Sequence, residues 1–441
     1  MPSTKKPSLF PVLLVNFIGT LGYSLIVPIL VFLVQKFGGN AFIYGILGAT
    51  YPAFQFFGAP LLGRWSDRVG RRRVLMVSQA GTAVAWVLFV VSLLLPVEEL
   101  FAVENAVLGA FSVSIPLLIL FGARALDGLT GGNVSVANAY LSDISDDSNR
   151  KKNFGMLGSS SSLGFVVGPA AAGLLGATAM GELLPVLVAL VISLVAIAVI
   201  YFYLPESLPR PVDREIHEQP QLHKLSGAEH QECHDQAEKA TTGLRTILRI
   251  DGVPLLFVIY FLTFFGFSFF YSGMPLLASN VLGWESGRLG LFFAVTSGVM
   301  VLAQGPLLTF LSDRFTDRTL VLAGTVLLSG SFFLLTVATP FWVFTAGVVL
   351  AVGNGLMWPS FLSILGRTGP REKQGALQGY ANSMGSLASI FGLIGGGALY
   401  ASLGAGVFLL AGGIVGVIFL LAWRLDGSTP DPTQAALANA A

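Results

Sequence analysis

Gly63-Arg64-Trp65-Ser66-Asp67-Arg68-Val69-Gly70-Arg71-Arg72-Arg73 decides the fold. It lies between apolar runs at about 42–62 and 74–95, each long enough to cross a hydrocarbon layer of ~30 Å. It holds five arginines and one aspartate in a chain that is only 11% charged. Such a cluster cannot sit in hydrocarbon, so it fixes one side of the membrane. Gly63 and Gly70 allow a tight reversal between two helices. One acid among many bases asks for a specific partner for Asp67. The plain reading is a basic cytoplasmic loop and no more; the sharper one is a gate, and the recurrence of the stretch favours it.

The rest of the composition agrees. The 441 residues are 54% hydrophobic, above the roughly 45–50% of soluble domains. The expected class is an all-α membrane protein. A net charge of +1 gives no footing for nucleic acid, and the single cysteine, Cys233, excludes an internal disulfide framework. The first apolar run spans a full bilayer and lacks a small-residue cleavage site, so it does not read as a removable signal.

Apolar runs fall at about 9–34, 42–62, 74–95, 115–141, 154–176 and 183–204, then at 253–279, 288–311, 319–338, 341–365, 375–400 and 404–423. They are numbered here as spans 1–12. With the N-terminus inside, all but three of the 25 basic residues fall on the cytoplasmic side. The exceptions are Lys36 and Arg288 outside and Arg124 within span 4. The positive-inside rule thus places both termini in the cytoplasm. The domains expected are bundles at 1–204 and 251–424, a cytoplasmic linker at 205–250 and a disordered tail at 425–441. His217, His223, His230, Cys233 and His234 lie in the linker, but their spacing fits no tight tetrahedral site, so no metal is expected.

The halves repeat. Pro60-Leu61-Leu62 and Ser66-Asp67-Arg68 return as Pro306-Leu307-Leu308 and Ser312-Asp313-Arg314, an offset of 246. Gly132-Asn133, Leu141-Ser142, Arg150, Gly158 and Gly164 return as Gly353-Asn354, Leu362-Ser363, Arg371, Gly379 and Gly385, an offset of 221. The change in offset is the longer outside loop near 96–114. Twelve spans in two pseudo-symmetric six-helix bundles are a transporter design with its site between the halves.

Span 4 carries the intramembrane charges, Arg124 and Asp127. On a helix, Arg124, Gly128, Gly131, Ser135 and Asn138 share one face with Asp127 at its edge. A lone charge at the midplane costs at least ~2.5–3.5 kcal/mol, which an i,i+3 partner partly offsets. The pair is either a structural ion pair or the proton-coupling group, switched when substrate or helix motion separates it. Asn16, Gln55, Asn133, Asn138, Gln304, Asn354 and Asn382 are polar within spans, and each either lines a cavity or bonds a neighbouring helix. Phe265, Phe269 and Trp358 belong to an aromatic set in spans 7, 8 and 10 that suits a bulky apolar or aromatic small-molecule substrate.

These motifs resemble the major facilitator superfamily, and within it the twelve-helix drug/proton antiporters, above all the tetracycline efflux group. The loop Gly63–Arg73 resembles the signature between helices 2 and 3. Arg124 with Gly128, Gly131 and Gly132 resembles the helix 4 motif. Gly164, Gly168, Pro169 and Gly173 resemble the helix 5 antiporter motif. Tyr140-Leu141-Ser142-Asp143 and Leu204-Pro205-Glu206-Ser207 resemble that group's helix 4 exit and helix 6 end. The resemblance implies that Asp67, with Arg68 and Arg71, holds the halves closed on the inside against the start of helix 11 near Gly375. Asp313 and Arg314 would be the second copy of that gate or a remnant of it. It also implies Arg124 as the coupling residue; Asp127 is read from the residues alone. The glycine seams of spans 5 and 11 are expected to meet the opposite half and seal it. One departure stands out: the tetracycline group carries an acid nine positions before a helix 1 proline. Counting back from Pro28 that position is Gly19, and 9–34 contains no acid.

The function expected is proton-coupled efflux of amphipathic small molecules or drugs by alternating access, without cofactor. The chain would work as a monomer in the lipid bilayer of a bacterial inner membrane. A carrier for a sugar or organic anion, with Arg124 as the anion clamp, is the alternative; a receptor or scaffold is a third reading. No phosphate loop or nucleophile elbow appears, so no enzyme is expected.

Overall fold

The computed structural model describes residues 9–105, 109–131, 133–145, 150–207, 244–369 and 374–425. Most of the expected linker, with its His/Cys tract, and nearly all of the expected tail lie outside these residues. The side chains of Asn133, Arg150, Lys151 and Lys152 are likewise not described.

The apolar runs are helices. The first bundle has Phe10–Lys36, Ala41–Val69, Arg71–Leu94, a span 4 made of Ile115–Thr130 and Asn133–Asp143, Arg150–Gly176 and Leu183–Tyr203. The second has Val253–Asn280, Ser286–Leu302 continued to Ser312, Asp317–Leu335, Pro340–Arg367, Gln374–Leu403 and Val407–Ala422. Ten segments among the described residues are long and apolar enough to cross a membrane. Two facts raise ten to twelve. Span 2 falls short on apolarity because Tyr44, Thr50, Tyr51, Pro52 and Gln55 interrupt its apolar residues. The segment 376–422 is two spans parted at a 3-10 turn, Gly404–Gly406.

Polar caps start the spans where the sequence provides them. Asn40 caps Ile43 N at 3.1 Å, Ser114 caps Leu117 N at 3.4 Å, and Thr316 caps Thr319 N at 3.2 Å. Span 8 carries a π-helical turn at Ala303–Leu307, where Pro306 has no N–H to donate.

The packing repeats as the sequence does. Span 1 lies on spans 5 and 6, as span 7 lies on 11 and 12. Span 3 lies on 4 and 6, as span 9 lies on 10 and 12. The bundles meet along two matching seams, span 2 on span 11 and span 5 on span 8.

The loop near 96–114 differs from a plain connection. Glu99–Asn105 (β1) and Gly109–Ser114 (β2) pair antiparallel, with Phe101 opposite Val113 and Val103 opposite Phe111. The alternation of Phe and Val is a strand period too short to register in a search for membrane-length runs. The hairpin is tied to the turn after span 1, through Ser112 N to Gly38 O at 2.8 Å and Asn40 Nδ2 to Ala110 O at 3.2 Å. The two ends of the molecule are called below the hairpin end and the basic end.

Candidate functional site

The Arg124–Asp127 couple is buried near the middle of span 4. Arg124 is 2% exposed and Asp127 6%, and Arg124 Nη1 lies 3.6 Å from Asp127 Oδ2. That is an ion pair but not a hydrogen bond. Nε and Nη1 of Arg124 have no hydrogen-bond partner among the described residues. What flanks the guanidinium is aromatic: its carbon lies 4.8 Å from the Tyr51 ring centroid and 5.6 Å from that of Tyr23. The rings contact each other at 4.6 Å, and Phe165 of span 5 meets Tyr23 edge-on at 5.9 Å. Thr82 of span 3 hydrogen-bonds the Asp127 carboxyl. A cation held by π-faces and one carboxylate is a charge with weak, exchangeable partners.

Span 4 breaks just beyond this couple, after Thr130. A break leaves carbonyls unpaired, and neighbouring spans supply the donors. Ser78 Oγ donates to Thr130 O, and Gln55 Nε2 donates to Gly131 O at 3.0 Å and to Tyr51 Oη at 3.1 Å. Beyond the break Ser135 Oγ still reaches Ala59 O of span 2 at 3.1 Å. A methyl at Gly128 would lie 2.5 Å from Tyr51 O, and one at Gly131 2.7 Å from Tyr51 Oη. Both glycines let span 2 sit directly on span 4.

The second half presents aromatics instead of charge. Tyr260 stacks on Phe264 at 5.0 Å and meets Trp358 at 5.2 Å, and Trp358 stacks on Phe361 at 5.8 Å. Tyr260 Oη donates to Asn382 Oδ1 at 2.8 Å, so spans 7, 10 and 11 converge on this cluster. Phe265 and Phe269 form an adjoining edge-on pair at 5.1 Å. Asn354 Nδ2 approaches Met300 Sδ at 3.6 Å, and Gln304 lies half-buried on the π-helical turn.

At the basic end the loop is knotted into its own bundle. Arg71 is buried; its Nη1 lies 2.5 Å from Asp67 Oδ1 and 2.6 Å from Ser66 Oγ, and its Nε lies 3.0 Å from Asp143 Oδ2. Its backbone N–H donates to Glu206 Oε1 at 2.7 Å, and Ser207 Oγ donates to Asp143 at 2.8 Å. Three stretches separate in sequence, the loop, Asp143 and Glu206-Ser207, therefore meet at one point. Gly70 makes this possible: its φ of 106° is a glycine conformation, and a methyl there would lie 2.4 Å from Glu206 Oε2.

The second half copies the geometry with altered charge. The counterpart of Arg71 at the 246 offset is Asp317, which pairs with Arg367 at 2.9 Å and accepts from Ser363 Oγ at 2.9 Å. The counterpart of Arg72 is Arg318. Arg72 donates to the Ile200 and Tyr201 carbonyls at the end of span 6 and lies 5.8 Å over the Tyr201 ring. Arg318 donates to the Trp423 carbonyl at the end of span 12 and lies 5.6 Å over the Trp423 ring.

The other expected site residues are placed as follows. Asp67 forms its ion pair within its own loop, and its side chain is 59% exposed. Arg68 is exposed beside it. Among the described residues, the ion pair of the second half lies at Asp317 rather than Asp313, which is exposed just past the short helix Leu308–Ser312; Arg314 stacks over Phe310 at 4.1 Å. Asn16 is a fastener: its Nδ2, with two N–H groups, lies within hydrogen-bonding distance of Leu157 O at 3.1 Å, Ser160 Oγ at 2.8 Å and Ser161 Oγ at 2.6 Å, tying span 1 to span 5. Asn138 is half-buried.

The glycine motifs divide their work. Gly164 and Gly168, with the buried Pro169 beside them, press on span 1 of their own bundle, where Ser24 Oγ donates to Gly164 O at 2.9 Å. Gly173 alone of the motif reaches the other half; a methyl on it would lie 2.3 Å from Gly290 Cα. Span 11 does the same: Gly385 and Gly392 press on span 7, and a methyl on Gly397 would lie 2.8 Å from Gly45 Cα. Gln35 Nε2 adds bonds across the halves to Ser279 Oγ at 2.9 Å and Asn280 Oδ1 at 2.7 Å, and Tyr44 Oη donates to Tyr271 O at 3.0 Å. These inter-bundle contacts all lie toward the hairpin end.

Tyr23, Tyr51 and Thr82 were not foreseen. The one sequence signal for Tyr51 is its place one turn before Gln55.

A family model for the Major Facilitator Superfamily matches residues 12–308 and 256–440. The tetracycline resistance protein, class D, of Salmonella ordonez is 26% identical over 390 residues, covering 88% of each chain. Multidrug resistance protein 2 of Bacillus subtilis is 25% identical over 429 residues, 95% of this chain and 96% of that one. Among solved structures, the human organic anion transporter MFSD10 (TETRAN) has a TM-score of 0.63 at 20% identity, covering 94% of this chain and 98% of that one. A D-xylose-proton symporter has a TM-score of 0.69 at 16% identity, covering 96% and 99%.

Proposed function

The chain belongs to the major facilitator superfamily, and on that premise we propose that it is a proton-coupled exporter of amphipathic small molecules. The observation that carries this reading is the Arg124–Asp127 couple, buried in one half only and held by partners it can leave. Two rocking bundles alternately expose the space between them. Asp127 takes its proton as Arg124 leaves it and releases it as Arg124 closes on it. The aromatic face of spans 7, 10 and 11 receives the apolar body of the substrate. The hairpin-end contacts suit a state closed outside, with the basic end cytoplasmic, both termini inside and the chain a monomer in a bacterial inner membrane. The tetracycline and multidrug resistance proteins that it resembles are in keeping with export.

A second reading has one observation behind it. The unpartnered Nε and Nη1 of Arg124 offer two donors to an organic anion, and the resemblance to a human organic anion transporter points the same way. One experiment separates the two. Purified protein in proteoliposomes is given ethidium, tetraphenylphosphonium, tetracycline and salicylate, with the pH gradient set in either direction. The exporter reading expects cations or tetracycline to move against an inward proton gradient. Transport of salicylate alone would establish the anion carrier, and gradient-independent transport would remove proton coupling.

A further inference from the structure

Tyr51 occupies a position that the mechanism above does not use. Its ring lies over Arg124 at 4.8 Å, nearer than that of Tyr23. Its hydroxyl lies in the notch at Gly131 and accepts from Gln55, which also caps the broken end of span 4. Its own carbonyl approaches Gly128, so the turn of span 2 around Tyr51 fits the turn of span 4 that follows Arg124. The same helix, at Gly45 and Gly48, lies on Leu393 and Gly397 of span 11 in the other half. Just past Tyr51 comes Pro52, which cannot donate to Gly48 O and leaves the helix a soft point next to Tyr51.

We propose that Tyr51 is a positioning residue that links the span 2–span 11 seam to the ion pair of span 4. While the seam is closed, the Tyr51 ring lies on the guanidinium and holds Arg124 toward Asp127. When the seam opens, span 2 flexes at Pro52, the ring withdraws, and the guanidinium leaves the carboxylate. Conformation and protonation then change together. The titratable and charged groups around the couple are Tyr23 of span 1 and Tyr44 and Tyr51 of span 2, with Thr82 of span 3 as the hydrogen-bonding neighbour. A desolvated cation is strongly attracted to a ring face, so the ring and not the hydroxyl carries the effect. This assignment rests on the proton-coupled reading.

The test uses the full chain in proteoliposomes with the best-transported member of the panel above. Two rates are measured, exchange without a pH gradient and transport driven by one, together with protons moved per substrate. Tyr51→Phe keeps the ring and is expected to stay within about twofold of the parent in both rates. Tyr51→Leu is expected to keep exchange within about threefold, lose about tenfold in gradient-driven transport, and move fewer protons per substrate. Tyr51→Met, which is flexible enough to fill the gap, gives the same comparison should the leucine variant fold poorly. Full gradient stimulation in Tyr51→Leu or Tyr51→Met would overturn the assignment, as would Tyr51→Phe behaving like Tyr51→Leu. A parent protein indifferent to the gradient would instead remove the proton-coupled reading and this link with it.

Discussion

Replacing Gly70 by alanine tests whether the knot at the basic end is built as described. Gly70 sits at φ 106° and ψ 145°, a region that side-chain-bearing residues avoid at about 1–3 kcal/mol. The new methyl would also lie 2.4 Å from Glu206 Oε2 and 2.8 Å from its Cδ. Glu206 must then shift and release the Arg71 N–H, which it holds at 2.7 Å. A hydrogen bond to a charged group is worth about 1.5–3 kcal/mol. Glu206 is exposed, so water recovers part of that, and the low end of the range applies. The combined loss is about 3–4 kcal/mol, most of the ~5 kcal/mol of a marginally stable domain. Thermal unfolding in detergent, followed by size exclusion with tryptophan fluorescence, compares Gly70→Ala, Glu206→Ala and the double variant. The double variant should fall short of the summed losses by about 1–2 kcal/mol, because the steric conflict and the lost bond are then shared. A Gly70→Ala protein that melts with the parent would refute the strain argument, and strict additivity would refute the contact with Glu206.

Asp127→Asn removes the titrating group but keeps its shape. Exchange should persist while gradient-driven transport collapses; an unchanged driven rate in proteoliposomes would exclude Asp127 as the proton site. Gly290→Val forces side-chain atoms into Gly173, whose Cα would be 1.8 Å from an added methyl. The hairpin end should be wedged open, raising the reactivity of a cysteine placed at buried Ala278 in a Cys233→Ser background toward an impermeant thiol reagent. Loss of reactivity there would reverse the assignment of that seam. Asn16→Ala drops the amide's bonds to span 5 and should lower stability by about 1–3 kcal/mol without changing KM. A raised KM at parental stability would return Asn16 to the substrate cavity.

The spans were legible because their length is a physical requirement of the bilayer and depends on no partner. The duplication was legible because Ser66-Asp67-Arg68 and Ser312-Asp313-Arg314 survive unaltered. The knot was visible only in pieces. Arg71, Asp143 and Glu206 each stand in recognisable stretches, but their meeting depends on how spans 2, 4 and 6 end together. The second-half ion pair was hidden by its change of sign, since nothing in a search for repeated charges pairs Arg71 with Asp317. Tyr51 and Tyr23 were hidden for another reason. A tyrosine in a span is ordinary, and only the guanidinium of another helix makes these two special. Gly131 belongs to a small-residue face in a continuous helix pattern; in the structure it lies where the helix breaks after Thr130, and Gln55 and Ser78 satisfy the carbonyls there.

The seams at Gly173–Gly290 and Gly45–Gly397 bring backbone against backbone. Closing them freezes no rotamers, and parting them wets little oil-like area, so each turnover crosses the interface at small free-energy cost in either direction. The poise between the two states is left to a few polar ties such as Gln35 with Ser279 and Tyr44 with the Tyr271 carbonyl. Each tie is worth about 1 kcal/mol, which multiplies the ratio of the two states roughly fivefold. A machine balanced in this way can be retuned by one mutation far from anything it carries, and drift at such positions would alter its speed before its selectivity.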